Sequence, residues 1–527
     1  MPTPKEFTLA GPQHAVTLAE STSHLHGVLG LHHDASHDAS HDASHDAGHG
    51  DAIAFLDTFD WRVHSAGFVL ARLGDALELS DRETGALLIR ATATGRVEFD
   101  EDLPAVLRDR LDGALGVRAL RPVAAVTSVV AVLTEHNEDA KTVARLVVSD
   151  GQVDTARGPV PLTRRVAVVP LRGYDRFAAA LAARVGDLPG VEPAGSTVFA
   201  EAVAVTGRRP GDYSSKMALT LRRETSTYDA ARLVYRTLLA SLQANESGTM
   251  AGVDTEFLHD FRVAVRRTRS ALKELPGALP PDVEQHFRDE FRWLGQTTTP
   301  TRDLDVYLLD FPSFTAAVGS AAADLRPLHR FLRAEQRREH VALRRALGSA
   351  RYRRLRDEWS LAVDADAPTA APGPAGLAPI GRSADIRIRK VAQRLLRDGH
   401  RITADSPAGA LHDLRKRAKE LRYLLEFFGS LYDRKPHSAA VSELKGLQDN
   451  LGSYQDAQVQ RHEVEGFAER LLSAGETSAA TLLAAGRLVA TFDDRQRQAR
   501  AEFAERFASF AGPRNRRRLA ELTGGDW

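Results

Sequence analysis

The chain has 527 residues, 43% of them hydrophobic and 27% charged, and its 70 basic and 70 acidic side chains cancel to a formal net charge of zero. That length exceeds what one hydrophobic core usually serves, so two or three domains are expected, and the balanced charge gives no guide to partners. The lack of cysteine excludes disulfides and thiolate metal sites, and no apolar run approaches the roughly 18 residues of a membrane span.

The opening stretch MPTPKEFTLAG has no basic region followed by an apolar core, so no secretory signal is expected and the compartment is read as cytoplasmic. Between His32 and Asp51 the tetrapeptide HDAS recurs, placing His33, His37, His41, His45 and His49 four apart. A helix there would carry a histidine stripe able to hold a transition metal weakly. Asp, Ser and Gly compete with helix, however, and no apolar face exists to pack, so a disordered insertion in a loop is expected.

From Ala52 to about Val205 the texture changes to short apolar, β-branched runs such as VAAVTSVVAVL, ARLVVSDGQV and RRVAVVPL, with helical pieces over 102–112 and 174–184. This predicts an α+β domain, residues 1–205, built on an antiparallel sheet curled into a barrel. The segment FLDTFDWRVHSAGFVLARL, from Phe55 to Leu73, resembles the early strand, loop and strand of the CYTH family, the triphosphate tunnel fold. The resemblance implies inward acids that hold Mg²⁺ or Mn²⁺ and inward Arg and Lys that hold a triphosphate.

Several positions depart from that pattern. The family's opening Glu-x-Glu-x-Lys is met only by Glu6, Thr8 and Ala10, and Ala167, Val168 and Val169 stand where a carboxylate-bearing strand belongs. Arg62 and Arg72 match basic positions, but VTSVVAVL carries no arginine. Without paired carboxylates a metal has little to bind, so a catalytically silent barrel with no cofactor is expected. A register shifted by two would bring in Glu78, Glu98 or Asp100 as ligands, which leaves a metal-dependent triphosphatase as the alternative.

Gly and Pro in VTGRRPGDYSSK mark residues 206–216 as a linker. Helices follow. Thr227 to Asn245 places Ala231, Val234, Leu238 and Leu242 at the 3.6-residue period of a bundle helix. LHDFRVAVRRTRSALK, from Leu258 to Lys273, returns as LHDLRKRAKELRYLLE from Leu411 to Glu426, at an offset of 153 residues. The same offset carries Leu294 to Leu447, Asp303 to Asp456 and Val306 to Val459, so the helical unit is read as duplicated.

Within the copies, His259, Arg262, Arg266, Arg269 and Lys273, and then His412, Arg415, Lys419 and Arg422, are three or four apart and share one helix face. Like charges at that spacing repel, so an anion or facing acids must compensate them. Asp303, Asp305 and Asp456 are expected at helix starts, capping free NH groups or pairing with ladder arginines.

The doubled His-x-x-Arg helix, followed by LGQTTTPTRDLDVYL in one copy and LQDNLGSYQDAQV in the other, resembles the CHAD family, the histidine-containing α-helical domain, over about residues 217–515. The resemblance implies two pseudo-symmetric four-helix bundles, 217–360 and 382–515, joined by an Ala/Pro/Gly-rich linker over 361–381. It also implies basic faces that bind inorganic polyphosphate, on His259, Arg262, Arg266, Arg269, His412, Arg415, Lys416, Lys419 and Arg422. Val263 stands where the second copy has Lys416, so the copies need not bind equally.

A row of guanidinium and ammonium donors suits a chain with one charge per phosphate. Arg337 and Arg344, on a helix expected over Leu328–Ser360, and Lys390 and Arg394 form further basic faces. The tail from residue 516 is read as a solvated basic end. Apart from Tyr423, aromatic residues are scarce on the ladders, which disfavours a nucleic-acid partner. A scaffold or regulator at polyphosphate stores is the function expected.

Overall fold

The structure, a computed structural model, describes residues 4–9, 17–33, 52–275, 277–364 and 374–524. Two compact units divide the chain, Met1–Ser214 and Ser215–Trp527. Residues 34–51 of the His/Asp tract, Ala10 of the opening pattern and residues 365–373 of the Ala/Pro/Gly-rich stretch lie outside the described residues.

The first unit is an antiparallel sheet with helices on its faces. Its strands are β1 (Lys5–Leu9), β2 (His32–His33), β3 (Ala52–Asp57), β4 (Phe68–Leu73), β5 (Ala76–Asp81), β6 (Leu87–Thr92), β7 (Arg121–His136), β8 (Thr142–Thr155), β9 (Gly158–Pro161), β10 (Arg165–Pro170) and β11 (Val191–Pro193). They are ordered β11-β1-β10-β8-β7-β3-β4-β5-β6, with β2 added to β7 and β9 to β8. Alternation dictates which face is buried: Leu77 and Leu79 on β5 are fully buried, while Glu78 between them faces Arg90 at 3.3 Å.

The helices are α1 (Leu18–Leu29), α2 (Arg62–Ser65), α3 (Ala105–Leu111), α4 (Asp175–Gly186) and α5 (Val198–Val205). Leu25 and Leu29 of α1 and Leu181 and Val185 of α4 close over Leu133, Leu146, Val148 and Val166. Leu107 and Leu111 of α3 cover Leu56, Leu70, Leu77 and Leu79.

The DTFDWR turn is the unit's most constrained loop. Asp57 accepts backbone N–H bonds from Thr58, Val63 and His64 at 2.7, 2.9 and 2.9 Å, which fold the chain into α2. Trp61 takes a left-handed backbone with φ of 62° and is fully buried, its indole N–H donating to Asp212 at 2.7 Å. Arg208 also pairs with Asp212, at 2.6 Å, so the segment after α5 is tied down on this turn.

In the second unit the helices are α6 (Thr227–Ala251), α7 (Thr255–Glu274), α8 (Pro281–Val318), α9 (Arg326–Leu347), α10 (Ala350–Val363), α11 (Pro374–Leu377), α12 (Ile380–Gly399), α13 (Ala408–Phe428), α14 (Arg434–Ser473), α15 (Ala479–Ala511) and α16 (Pro513–Thr523). Three pairs of helix starts, Thr227 with Ile380, Thr255 with Ala408 and Pro281 with Arg434, are each 153 residues apart. The duplication seen in the letters is therefore a duplication of elements. The two starts of the first pair touch, because Thr227 donates its N–H to Ala378 O and Ile380 its N–H to Thr225 O, both at 2.8 Å.

Both copies contribute to one main core, with Phe261, Leu272, Phe291 and Trp359 packed in the same cluster as Ile388, Leu421, Phe427 and Phe510. A second core joins the far halves of the two long helices, with Tyr307, Phe311 and Phe314 of α8 and Val464, Phe467 and Leu471 of α14, closed by Leu488 and Phe492 of α15.

Three expectations are corrected. Asp303, Asp305 and Asp456 do not start helices; they lie inside α8 and α14, which run unbroken past them. Pro300 is accommodated within α8, where its missing N–H leaves a carbonyl one turn back without its helical donor. The helix expected over Leu328–Ser360 is two, α9 and α10, parted at Gly348 and restarted by a Ser349 side-chain cap on Tyr352 N. The basic tail is the packed helix α16, with Leu519 and Leu522 in the main core and Arg518 3.5 Å from Glu443.

Candidate functional site

Each ladder sits where it does because the opposite side of its helix is core. On α7 the side chains of Phe257, Phe261, Ala264, Val265, Thr268 and Leu272 are buried at helical spacing, which turns His259, Arg262, Arg266 and Arg269 to the other side. Asp254 caps the helix, accepting from the N–H groups of Glu256 and Phe257 at 2.9 and 3.1 Å. On α13, Leu411, Leu414, Ala418, Leu421 and Leu425 do the same for Arg415, Lys419 and Arg422.

α7 and α13 pack against each other, so the two ladders face one groove. Two ion pairs clamp them: Arg267 with Glu426 and Lys273 with Glu420, each at 2.9 Å. Glu426 also accepts from Arg422 Nε at 2.8 Å, which fixes that guanidinium along the groove wall.

The groove has three connected chambers. One, of about 740 Å³, is lined by Lys216, His259, Arg266, Arg267, Arg415, Lys419, Arg422 and His437, with only Asp260 and Glu426 as acids. A second, of about 610 Å³, carries Arg266, Arg269, Lys273, Arg288, Arg292, Lys416 and Lys419 against Glu274 and Glu420. The third, of about 700 Å³, is different: six arginines there meet six carboxylates. Arg266 lines all three, so the chambers adjoin at that side chain.

The ladder residues fall into two groups by what already holds them. Arg262 donates to Gly295 O at 3.2 Å, Thr298 Oγ1 at 2.8 Å and Thr299 Oγ1 at 2.9 Å, bracing α8 just before Pro300. Burial lowers its pKa to about 10, with Arg266 and Arg302 adding to the effect and Asp303 opposing it. Arg415 pairs with Asp456 at 2.9 Å, and Lys416 with Asp413 at 3.0 Å.

In the other group are Arg266, Arg269 and Lys419, which form no ion pair among the described residues. Arg266 instead lies 6.0 Å over the Tyr423 ring. Burial, then the nearby Arg415 and Arg266, push the Lys419 ammonium down to about 8. Positive charge is thus crowded at the middle of the groove, where the two copies meet.

His259 lines two chambers. His412 lines none of them and places Nδ1 2.8 Å from Gln455 Oε1. Arg337, Arg344, Lys390 and Arg394 are exposed on α9 and α12, away from the chambers. Lys216, Arg267, Arg288, Arg292 and Arg302 reach the groove without having been singled out in the sequence. Arg292 carried a signal in sequence: at the repeat offset it corresponds to Lys445, so both copies are basic there.

A duplicated helical unit with a basic groove between its copies is the class that this geometry defines. Residues 234–465 match the family model for the CHAD domain, and that segment, which holds both ladders, is a CHAD domain. Two uncharacterized proteins of Mycobacterium tuberculosis, from strains CDC 1551 and H37Rv, are each 30% identical over 225 residues. The match spans 42% of this chain and 42% of the length of each relative.

Among solved structures, the CHAD domain from the plant Ricinus communis is 28% identical, with a TM-score of 0.47, covering 55% of this chain and 94% of that one. PptA from Streptomyces chartreusis is 18% identical, with a TM-score of 0.43, covering 54% of this chain and 99% of that one. Among the described residues no helix is long and apolar enough to cross a membrane.

Proposed function

We propose that the groove between α7 and α13 binds inorganic polyphosphate, and that the protein acts as a scaffold or regulator at polyphosphate stores in the cytoplasm. The observation that carries this reading is the placement of Arg266, Arg269 and Lys419, three cations crowded into the groove with no carboxylate of the chain paired to any of them among the described residues. A solvated charged face would not concentrate them there, since burial and mutual repulsion both oppose it. A ligand with evenly spaced negative charges removes that repulsion and uses both copies at once.

The first unit is read as a CYTH-like barrel without catalysis. Supporting this, Arg62 and Arg72 spend their donors on the protein itself. Arg62 donates to Asp60 at 3.0 Å and Leu115 O at 2.7 Å; Arg72 donates to the carbonyls of Gly74, Ala93 and Gly95. Of the carboxylates that a shifted register would recruit, Glu78 and Glu98 are paired with Arg90 and Arg96, while Asp100 keeps a buried Oδ1 with no hydrogen-bond partner among the described residues.

The test is direct binding of long-chain polyphosphate, against DNA at equal charge concentration, at two salt concentrations. An Arg266→Ala/Arg269→Ala/Lys419→Ala variant runs in parallel. Salt-sensitive polyphosphate binding that the variant loses and DNA does not share is the expected result. Equal binding of both polymers would reduce the site to generic polyanion attraction, and no binding would end the proposal.

A further inference from the structure

The charge-balanced chamber has a part that polyphosphate does not explain. Asp303, Asp310, Asp456 and Glu463 all line it, and all four act on the hydroxyl of Tyr307, whose pKa is raised by burial first and by their negative charge second. Tyr307 is only 5% exposed, yet it lines the chamber, and its hydroxyl has no hydrogen-bond partner among the described residues.

Among the described residues, Asp456 alone of the four carboxylates has an ion pair, with Arg415. Asp310 receives one hydrogen bond, from Gln460 at 3.2 Å. Arg262 and Arg302 act on Asp303, and Arg495 and Arg302 on Asp310, without forming ion pairs with them among the described residues. Within a chamber that is balanced as a whole, these unpaired carboxylates offer partners to a cation.

The spacing says which cation. Among the described residues, no three His, Asp or Glu side chains come close enough to share a metal ion. The same chamber is also lined by Leu304, Val306 and Val459, the last 45% exposed. Separated negative points beside apolar side chains match a chain of methylenes with ammonium groups at intervals, which buries its stem while its charges are met.

We propose that this chamber binds a linear aliphatic polyamine, with ammonium groups on Asp303, Asp310 and Glu463 and the methylene chain along Val306 and Val459. The neutral Tyr307 oxygen accepts one ammonium hydrogen. The Arg415–Asp456 pair forms a shared wall with the basic chamber, so an ammonium that draws Asp456 frees Arg415 for an anion, and the reverse follows by linkage. This coupling, unlike the site itself, rests on the polyphosphate reading.

Titration calorimetry of the full chain with spermidine, in the absence of polyphosphate and with MgCl₂ in parallel, tests it. Saturable spermidine binding is expected, weakened about tenfold or more in Asp310→Asn/Glu463→Gln and unchanged in Arg337→Ala/Arg344→Ala, outside the chambers. Should the double variant misfold, Glu463→Gln alone, at an exposed position, and Tyr307→Phe each still carry a measurable loss. No saturable binding, or binding indifferent to all these variants, overturns the proposal. Mg²⁺ that displaces spermidine with the same variant sensitivity overturns the polyamine in favour of a divalent ion. Spermidine binding without polyphosphate binding would remove the polyphosphate reading and leave this site standing.

Discussion

Arg267 on α7 and Glu426 on α13 form an ion pair at 2.9 Å, and at the repeat offset their equivalents, Glu420 and Lys273, pair at the same distance with the charges exchanged. The copies have thus kept the contact while reversing its polarity. Only a clamp whose role is to hold the two helices together tolerates such an exchange, because Coulomb attraction is indifferent to which partner carries which sign. The ladder positions show no such reversal: Arg262 and Arg415, Arg266 and Lys419, and Arg269 and Arg422 are basic in both copies.

Removing the clamp's acid separates structure from binding. Glu426 touches both Arg267 and Arg422, with side chains 15% and 36% exposed. Glu426→Gln should lower stability by about 1–2 kcal/mol in denaturant titration, since it unpairs two partly buried cations. The same substitution should tighten polyphosphate binding and steepen its salt dependence, because a negative charge leaves the groove.

The mid-groove cations should dominate affinity. Arg266→Ala and Lys419→Ala are each expected to weaken polyphosphate binding by about 1–2 kcal/mol. Each should also reduce the slope of log affinity against log salt by about 0.7–0.9. Arg337→Ala and Arg344→Ala, outside the chambers, should leave both quantities unchanged.

Lys419 makes binding depend on pH. Its pKa is lowered to about 8, so the ammonium is complete below that value and lost above it. Polyphosphate affinity should fall as pH rises through about 8 in the wild type, and Lys419→Arg should abolish that fall by keeping the charge. Without ligand the sign is opposite. A lysine whose folded pKa lies below its unfolded value of about 10.4 leaves the unfolded chain binding more protons in between, so stability should rise from about pH 8 to 10.

Asp305 on α8 is 4% exposed, and burial raises its pKa to about 6 despite a hydrogen bond from Gln336 at 2.9 Å. Between its unfolded value of about 3.9 and 6, the folded chain binds more protons, so this residue adds stability as pH falls through that window. Asp305→Asn keeps the acceptor for Gln336 and removes the buried charge. It should raise stability at pH 7.5 by about 1–3 kcal/mol and erase the residue's contribution to the acid-side trend.

By itself the sequence determined the repeat and the side of each helix that carries the ladder. These are properties of spacing along one chain, and apolar residues at three and four settle which side is buried. Position 303 was misread for the same reason: a proline about five turns into a helical pattern looks like a boundary in sequence, while packing on α14 carries α8 through it.

Only the tertiary structure decided that the two ladders face each other, that Arg262 braces α8 while Arg266 and Lys419 have no ion pair among the described residues, and that one chamber sets six arginines against six carboxylates. Periodicity specifies a face but not the face opposite it. What a charge does depends on the carboxylates and carbonyls brought within a few ångströms from elsewhere in the chain.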